Sequence, residues 1–141
     1  MTRINIPPPS RLLDQHAFAE WREAPRVFPA ARLALDRGNI TGPARYTMGD
    51  GHVRFFYSRT GWLAKRHAAL TAELLDRGYR LTDRPPLVAV PGCDLPWEPD
   101  ADDLAVSLDR LRDKLHHQPR PGFYTFRGQP VGLDFYDMEA A

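Results

Sequence analysis

"GWLAKRHAALTAELLDRGY", residues 61–79, decides the fold class of this 141-residue chain. Trp62, Leu63, Leu70, Leu74 and Leu75 recur at helical spacing, and Gly78 stands where a helix needs a left-handed stop. Upstream, Ser10 is expected to N-cap a first helix reaching about Glu23, after three prolines that cannot sit inside one. Leu13, Ala17 and Trp21 form its apolar stripe. Pro25 ends it, and "RVFPAARLALDRG" (26–38) reads as a second helix closed by Gly38. "NITGPARYTMGDG" (39–51) reads as loop, and "HVRFFY" (52–57) as a short strand or the lead into a helix. Residues 81–101 are rich in proline and acid and are expected to be irregular. A last helix starts near Asp102 or Asp103, with Leu104, Leu108, Leu111 and Leu115 at i, i+4, i+7 and i+11. The aromatic tail from residue 121 has no clear period. The expectation is a mainly α chain: one compact domain over 1–141, with about three to four helices, long irregular loops, and 129–141 as an extended tail.

Composition narrows the class. Charged residues at 26% and hydrophobic ones at 43% are ordinary for a globular protein. One cysteine, Cys93, cannot form an internal disulfide, which suits a reducing compartment. No apolar run approaches the roughly 20 residues of a membrane span, and "MTRINIPPPS" lacks a signal peptide's apolar core. A cytoplasmic monomer away from membranes is expected. The net charge of +1 hides an asymmetry. Residues 1–80 hold 13 Lys/Arg and 7 Asp/Glu, a balance of +6, whereas residues 81–141 hold 6 and 11, a balance of −5. A basic half suggests a surface that faces a polyanion.

"HAFAEWREAPR" (16–26) carries the chemistry. On a helix His16, Glu20 and Glu23 share one stripe, with Arg22 and Arg26 beside it. Three readings compete: a solvated charged face, a metal site, or a catalytic carboxylate in a positive field. One histidine and two glutamates on one helix make no closed zinc set, and His52, His67, His116 and His117 supply no second motif. No metal or cofactor is expected. No G-x-S-x-G elbow and no Walker A pattern occurs. Cys93, between Gly92 and Asp94, has nothing marking it as a nucleophile.

Thr2 adds a different possibility. It is small enough for Met1 to be removed, which frees an α-amine with a pKa of about 7.7–8, against about 10.4 for lysine. Near neutral pH such an amine is a far larger supply of neutral nucleophile, able to form a Schiff base at a sugar C1′.

Taken in order, "MTRIN", "DQHAFAEWREAPRVF", "GHVRFFY" and "KRHAALTAELLDRGY" resemble the pyrimidine-dimer DNA glycosylase/AP lyase family of the phage endonuclease V type. The resemblance is collinear from residue 1 to about residue 128. It implies that Thr2 supplies the nucleophilic amine and Glu23 the essential carboxylate. Arg3, His16, Arg22 and Arg26 would line the site. "DRLRDKL" points to Arg110 and Lys114 as DNA contacts, and "GFYTFRG" to Phe123, Tyr124 and Phe126 for recognising damage. Glu20 is left as a plain surface or structural residue. The implied activity is bifunctional: base release from cyclobutane pyrimidine dimers in duplex DNA, then β-elimination, with the DNA kinked and a base opposite the lesion turned out.

Elementary chemistry agrees with those roles. Glycosidic cleavage builds positive charge on the deoxyribose, which a carboxylate opposes. The same group can take a C2′ proton once the imine exists. Guanidiniums nearby disfavour an ammonium and grip phosphate in bidentate fashion. The chain also departs from the family's pattern. Its 39–51 loop is shorter, Thr125 and Arg127 replace expected rings or lysine, and 80–103 is proline-rich. These departures bear on the lesion admitted, so lyase action on another base lesion or on abasic sites is an alternative reading. A non-catalytic DNA-binding relative is another.

Overall fold

A computed structural model describes residues 2–137. The helices are α1 (Asp14–Glu23), α2 (Val27–Asp36), the single turn α3 (His52–Phe55), α4 (Thr60–Asp76) and α5 (Ala101–His116). A small antiparallel hairpin follows, β1 (Thr125–Phe126) paired with β2 (Gln129–Pro130). The protein is mainly α, as expected. No helix of the described residues is long and apolar enough to cross a membrane.

One boundary differs from the sequence reading. Ser10 caps nothing: it lies in a 3-10 turn, Pro9–Arg11, and α1 begins only at Asp14. Leu12 and Leu13 are extended between them, at ψ 144° and 151°, which buries both side chains completely. Of the two readings of "HVRFFY", the lead into a helix is the one found: α3 and a 3-10 turn run on into α4. Phe55 and Phe56 are adjacent and both buried, which the alternating faces of a strand do not provide. Gly51, at φ 89°, starts α3.

Gly78 and Gly38 do stop α4 and α2. Each takes a positive φ, and the amides at and after it return to the last-turn carbonyls of Leu75 and Leu74, and of Leu35 and Ala34. α5 carries a capping box in which Asp100 and Asp103 each accept the other's backbone N–H at 2.9 Å.

Pro25 has a further consequence. An ordinary residue there would donate to the carbonyl of Trp21, but proline has no N–H. The ring of His67 on α4 supplies the missing partner, its Nε2 lying 2.9 Å from that carbonyl. The break between α1 and α2 is thereby docked onto the longest helix.

Two apolar cores result. One gathers Ile4, Ile6, Val27, Phe55, Phe56, Leu63 and Cys93, and the other Leu13, Ala17, Trp21, Leu70, Leu74, Leu111 and Tyr136. The irregular stretch after α4 is tied down by Thr60, whose hydroxyl donates to the Cys93 carbonyl and accepts the Val90 N–H. Part of the expected tail is not extended. Residues 129–137 return to the body, and Tyr136 is wholly buried. The hairpin is held by Asp14, whose carboxylate accepts Thr125 Oγ1 and the N–H groups of Arg127 and Gly128 at 2.7, 3.0 and 2.9 Å. Burial alone would raise its pKa, but these bonds and Arg77 outweigh burial and hold it below the usual value.

Candidate active site

Residues 2–6 form an irregular segment with no strand beside it among the described residues, so its backbone groups need other partners. Side chains from four parts of the chain provide them. Ile4 N–H donates to His52 Nε2 at 2.8 Å, and Ile4 C=O accepts the Tyr46 hydroxyl at 2.7 Å. Asn5 N–H and its side-chain amide both reach Glu20 Oε1, at 3.1 and 2.9 Å. Ile6 N–H donates to Ser107 Oγ at 3.0 Å. Arg66 donates to Pro7 C=O at 2.6 Å. The segment is fixed in all directions, and Thr2 lies at its end.

Thr2 Oγ1 stands 3.4 Å from Glu23 Oε2. That carboxylate also accepts Arg26 at 2.7 Å, with Arg22 at 3.6 Å from its other oxygen. Glu23 is mostly sheltered, its side chain 13% exposed, while Arg22 and Arg26 stand out at 56% and 67%. Exposed pairs of this kind are worth at most about 1 kcal/mol. The arginines are therefore held to Glu23 only weakly.

Glu20 behaves oppositely although it is only one turn away. It is buried and held by Arg66 through two bonds, at 2.7 and 3.0 Å, in addition to Asn5. Of the two descriptions offered by sequence, surface or structural, it is structural. It anchors the segment that carries Thr2.

Between these groups lies a cleft of about 70 Å³ lined by Arg3, Asn5, His16, Ala19, Glu20, Glu23 and Arg110. The stripe of His16, Glu20 and Glu23 faces one site, as their spacing suggested. Burial first, with Arg110 and Lys114 adding to it, pushes the His16 pKa down to about 4. His52 is likewise pushed down to about 4, chiefly by burial, although its bond to the Thr47 carbonyl works the other way. Burial also depresses the pKa of Arg110.

The remaining residues singled out from sequence divide. Tyr124 comes to His16, ring centroids 4.7 Å apart, and Phe123 packs edge-on against Tyr124 at 5.0 Å. Lys114 is exposed in the last turn of α5. Phe126 does not join the cleft. It packs on Phe135 at 5.3 Å and under Arg77 at 4.8 Å, inside the hairpin's own contact with the body. Removal of Met1 concerns a residue outside the described ones, as does the tail beyond Asp137.

Sequence reasoning did not single out Asn5, Tyr46, His52, Arg66, Ser107 or Tyr136. His52 and Arg66 sit inside the motifs quoted above, so their place there was a signal. Tyr46 and Ser107 carried none, because their partners are backbone atoms distant in the chain. A comparison with protein families finds that residues 1–84 match the model of the family described as pyrimidine dimer DNA glycosylase.

Proposed function

Because the chain belongs to the pyrimidine dimer DNA glycosylase family, we propose that it breaks the glycosidic bond of one base of a pyrimidine dimer in duplex DNA and then cuts the strand as an AP lyase, using the amine of Thr2 once Met1 has been removed. The observation that carries this reading is that Thr2, at the end of a segment clamped by side chains, meets Glu23, its hydroxyl donating to Oε2 at 3.4 Å.

In the first stage the neutral amine attacks C1′ of the deoxyribose. The C1′–N bond breaks, its electron pair leaving with the pyrimidine, and Glu23 opposes the positive charge that develops on the sugar. The sugar ring then opens at C1′–O4′. Of the amine's two protons one passes to the departing pyrimidine nitrogen and the other to O4′, through solvent, and an imine joins C1′ to Thr2. In the second stage Glu23 takes a C2′ proton, a C2′–C3′ double bond forms, and the 3′ phosphate leaves. A clamped nucleophile supports this chemistry because a correctly held amine avoids much of the entropic cost of a bimolecular encounter.

Arg3, Arg22, Arg26, Arg110 and Lys114 would take the phosphates. Tyr124, tilted against His16, and Phe123, edge-on to Tyr124, are the aromatic pair offered to the damaged step. The protein acts as a monomer on kinked duplex, where lesion-weakened stacking lowers the cost of distortion.

The test is reductive trapping. Protein freed of Met1 is incubated with ultraviolet-irradiated duplex and borohydride. A covalent protein–DNA complex on the dimer strand is expected, and its absence overturns the proposal. A panel of single-lesion duplexes then separates dimers from other lesions and from simple abasic sites.

A further inference from the structure

A side chain that lines the cleft carries a polar atom that no described residue satisfies. His16 Nε2 is buried and has no hydrogen-bond partner among the described residues. A buried donor or acceptor left unpaired is costly, and such groups concentrate where a ligand completes them. The other ring nitrogen is tightly held, Nδ1 lying 2.6 Å from the hydroxyl of Tyr136. That same hydroxyl accepts the backbone N–H of Leu13 at 3.0 Å.

Counting protons fixes the roles. Among the described residues, Leu13 N–H and His16 Nδ1 are the only partners of the Tyr136 oxygen. If Nδ1 carried a proton, the hydroxyl would receive two donors and its own proton would have no acceptor. The consistent arrangement has Tyr136 O–H donating to an unprotonated Nδ1. The ring is then neutral, its proton on Nε2, and that N–H is the unsatisfied group. Burial and the neighbouring Arg110 and Lys114 independently oppose an imidazolium here.

Resting on the glycosylase reading above, we propose that Tyr136 is a positioning residue that locks His16 in the Nε2–H tautomer, so that the cleft offers one uncharged donor to an oxygen of the reacting deoxyribose. A neutral donor matches an ether or hydroxyl oxygen of the sugar, whereas phosphate oxygens are matched by Arg3 and Arg110 in the same cleft. The device joins the first helix to a residue 120 positions later. Tyr136 also lies far outside the stretch that matches the family.

The test pairs a spectroscopic readout with a kinetic one. In the wild-type protein at pH 7, nitrogen-15 NMR of the ring is expected to show His16 uncharged with its proton on Nε2. In Tyr136→Phe the two tautomers should mix. Single-turnover formation of the trapped complex should slow about tenfold, the worth of one hydrogen bond, while DNA affinity stays within about twofold. A wild-type ring protonated on Nδ1 or charged at pH 7 overturns the proposal, and so does a Tyr136→Phe protein with unchanged tautomer and rate. If Tyr136→Phe does not fold, the wild-type spectrum alone decides. Should the wild-type protein fail to trap on irradiated DNA, the functional reading falls, while the tautomer result separately judges the lock.

Discussion

The Nε2 atom of His52 accepts the backbone N–H of Ile4 at 2.8 Å, joining residues 48 positions apart. Its Nδ1 lies 2.7 Å from the Thr47 carbonyl, which can only accept, so the ring is neutral with its proton on Nδ1. Protonating it would set an N–H against the N–H of Ile4. The anchor of the segment that carries Thr2 therefore depends on an uncharged histidine.

Acid should loosen the protein well above the range of ordinary carboxylates. His16 and His52 titrate near 6.5 when unfolded but only near 4 when folded. Between those values the unfolded chain binds more protons, so stability is full above about pH 6.5 and falls as pH drops toward 4. Each histidine contributes about 3 kcal/mol across that window, and His67, also depressed, acts in the same sense. Urea unfolding from pH 7.5 to 4.5 measures the loss. His52→Gln should flatten part of the slope, and a flat wild-type profile would contradict the neutral-histidine anchor.

Glu20 and Glu23 should fail in different ways. Glu20→Gln strands the buried Arg66 and is expected to cost about 3–5 kcal/mol, seen as a lower denaturation midpoint. Glu23→Gln loses only pairs with exposed arginines, so stability should move by about 1 kcal/mol or less, while imine formation and strand cleavage collapse. Measuring both properties on both variants exposes any exchange of these roles.

Retaining Met1, or acetylating Thr2, should abolish the trapped complex. DNA affinity should change by about twofold at most, because a single charge at the segment's end is involved. Full-speed cleavage by the blocked protein would remove the amine from the mechanism.

Binding to duplex should weaken steeply with salt. Replacing Arg3, Arg22, Arg26, Arg110 or Lys114 singly by Gln is expected to lower the slope of log K against log salt by about 1 for each phosphate no longer neutralised. A residue whose removal leaves the slope unchanged does not touch the backbone.

Much of this was legible in the chain. The helical periods at 61–79 and 104–115 marked the two longest helices, and Gly38 and Gly78 marked the stops of α2 and α4, because period and left-handed glycine are local properties. The common stripe of His16, Glu20 and Glu23 was legible for the same reason. Where α1 begins was not, since Leu12 and Leu13 are extended in order to fill a core built from distant residues. Phe126 was placed with the damage-recognition aromatics, but its partner Phe135 lies beyond any local pattern.

Sequence alone determined a helical protein with a basic half and a carboxylate stripe flanked by arginines, since spacing and composition need no fold to be read. The resemblance set Glu23 apart from Glu20, but only the tertiary structure gives the physical reason. The two share residue type and helix face, and what differs is burial: one meets Arg66 and Asn5 out of water, the other meets Thr2 and two exposed arginines at the surface. Environment sets what a carboxylate can do, and here that environment is assembled from residues distant in the chain, as in the bond from Arg66 to Glu20, 46 positions apart.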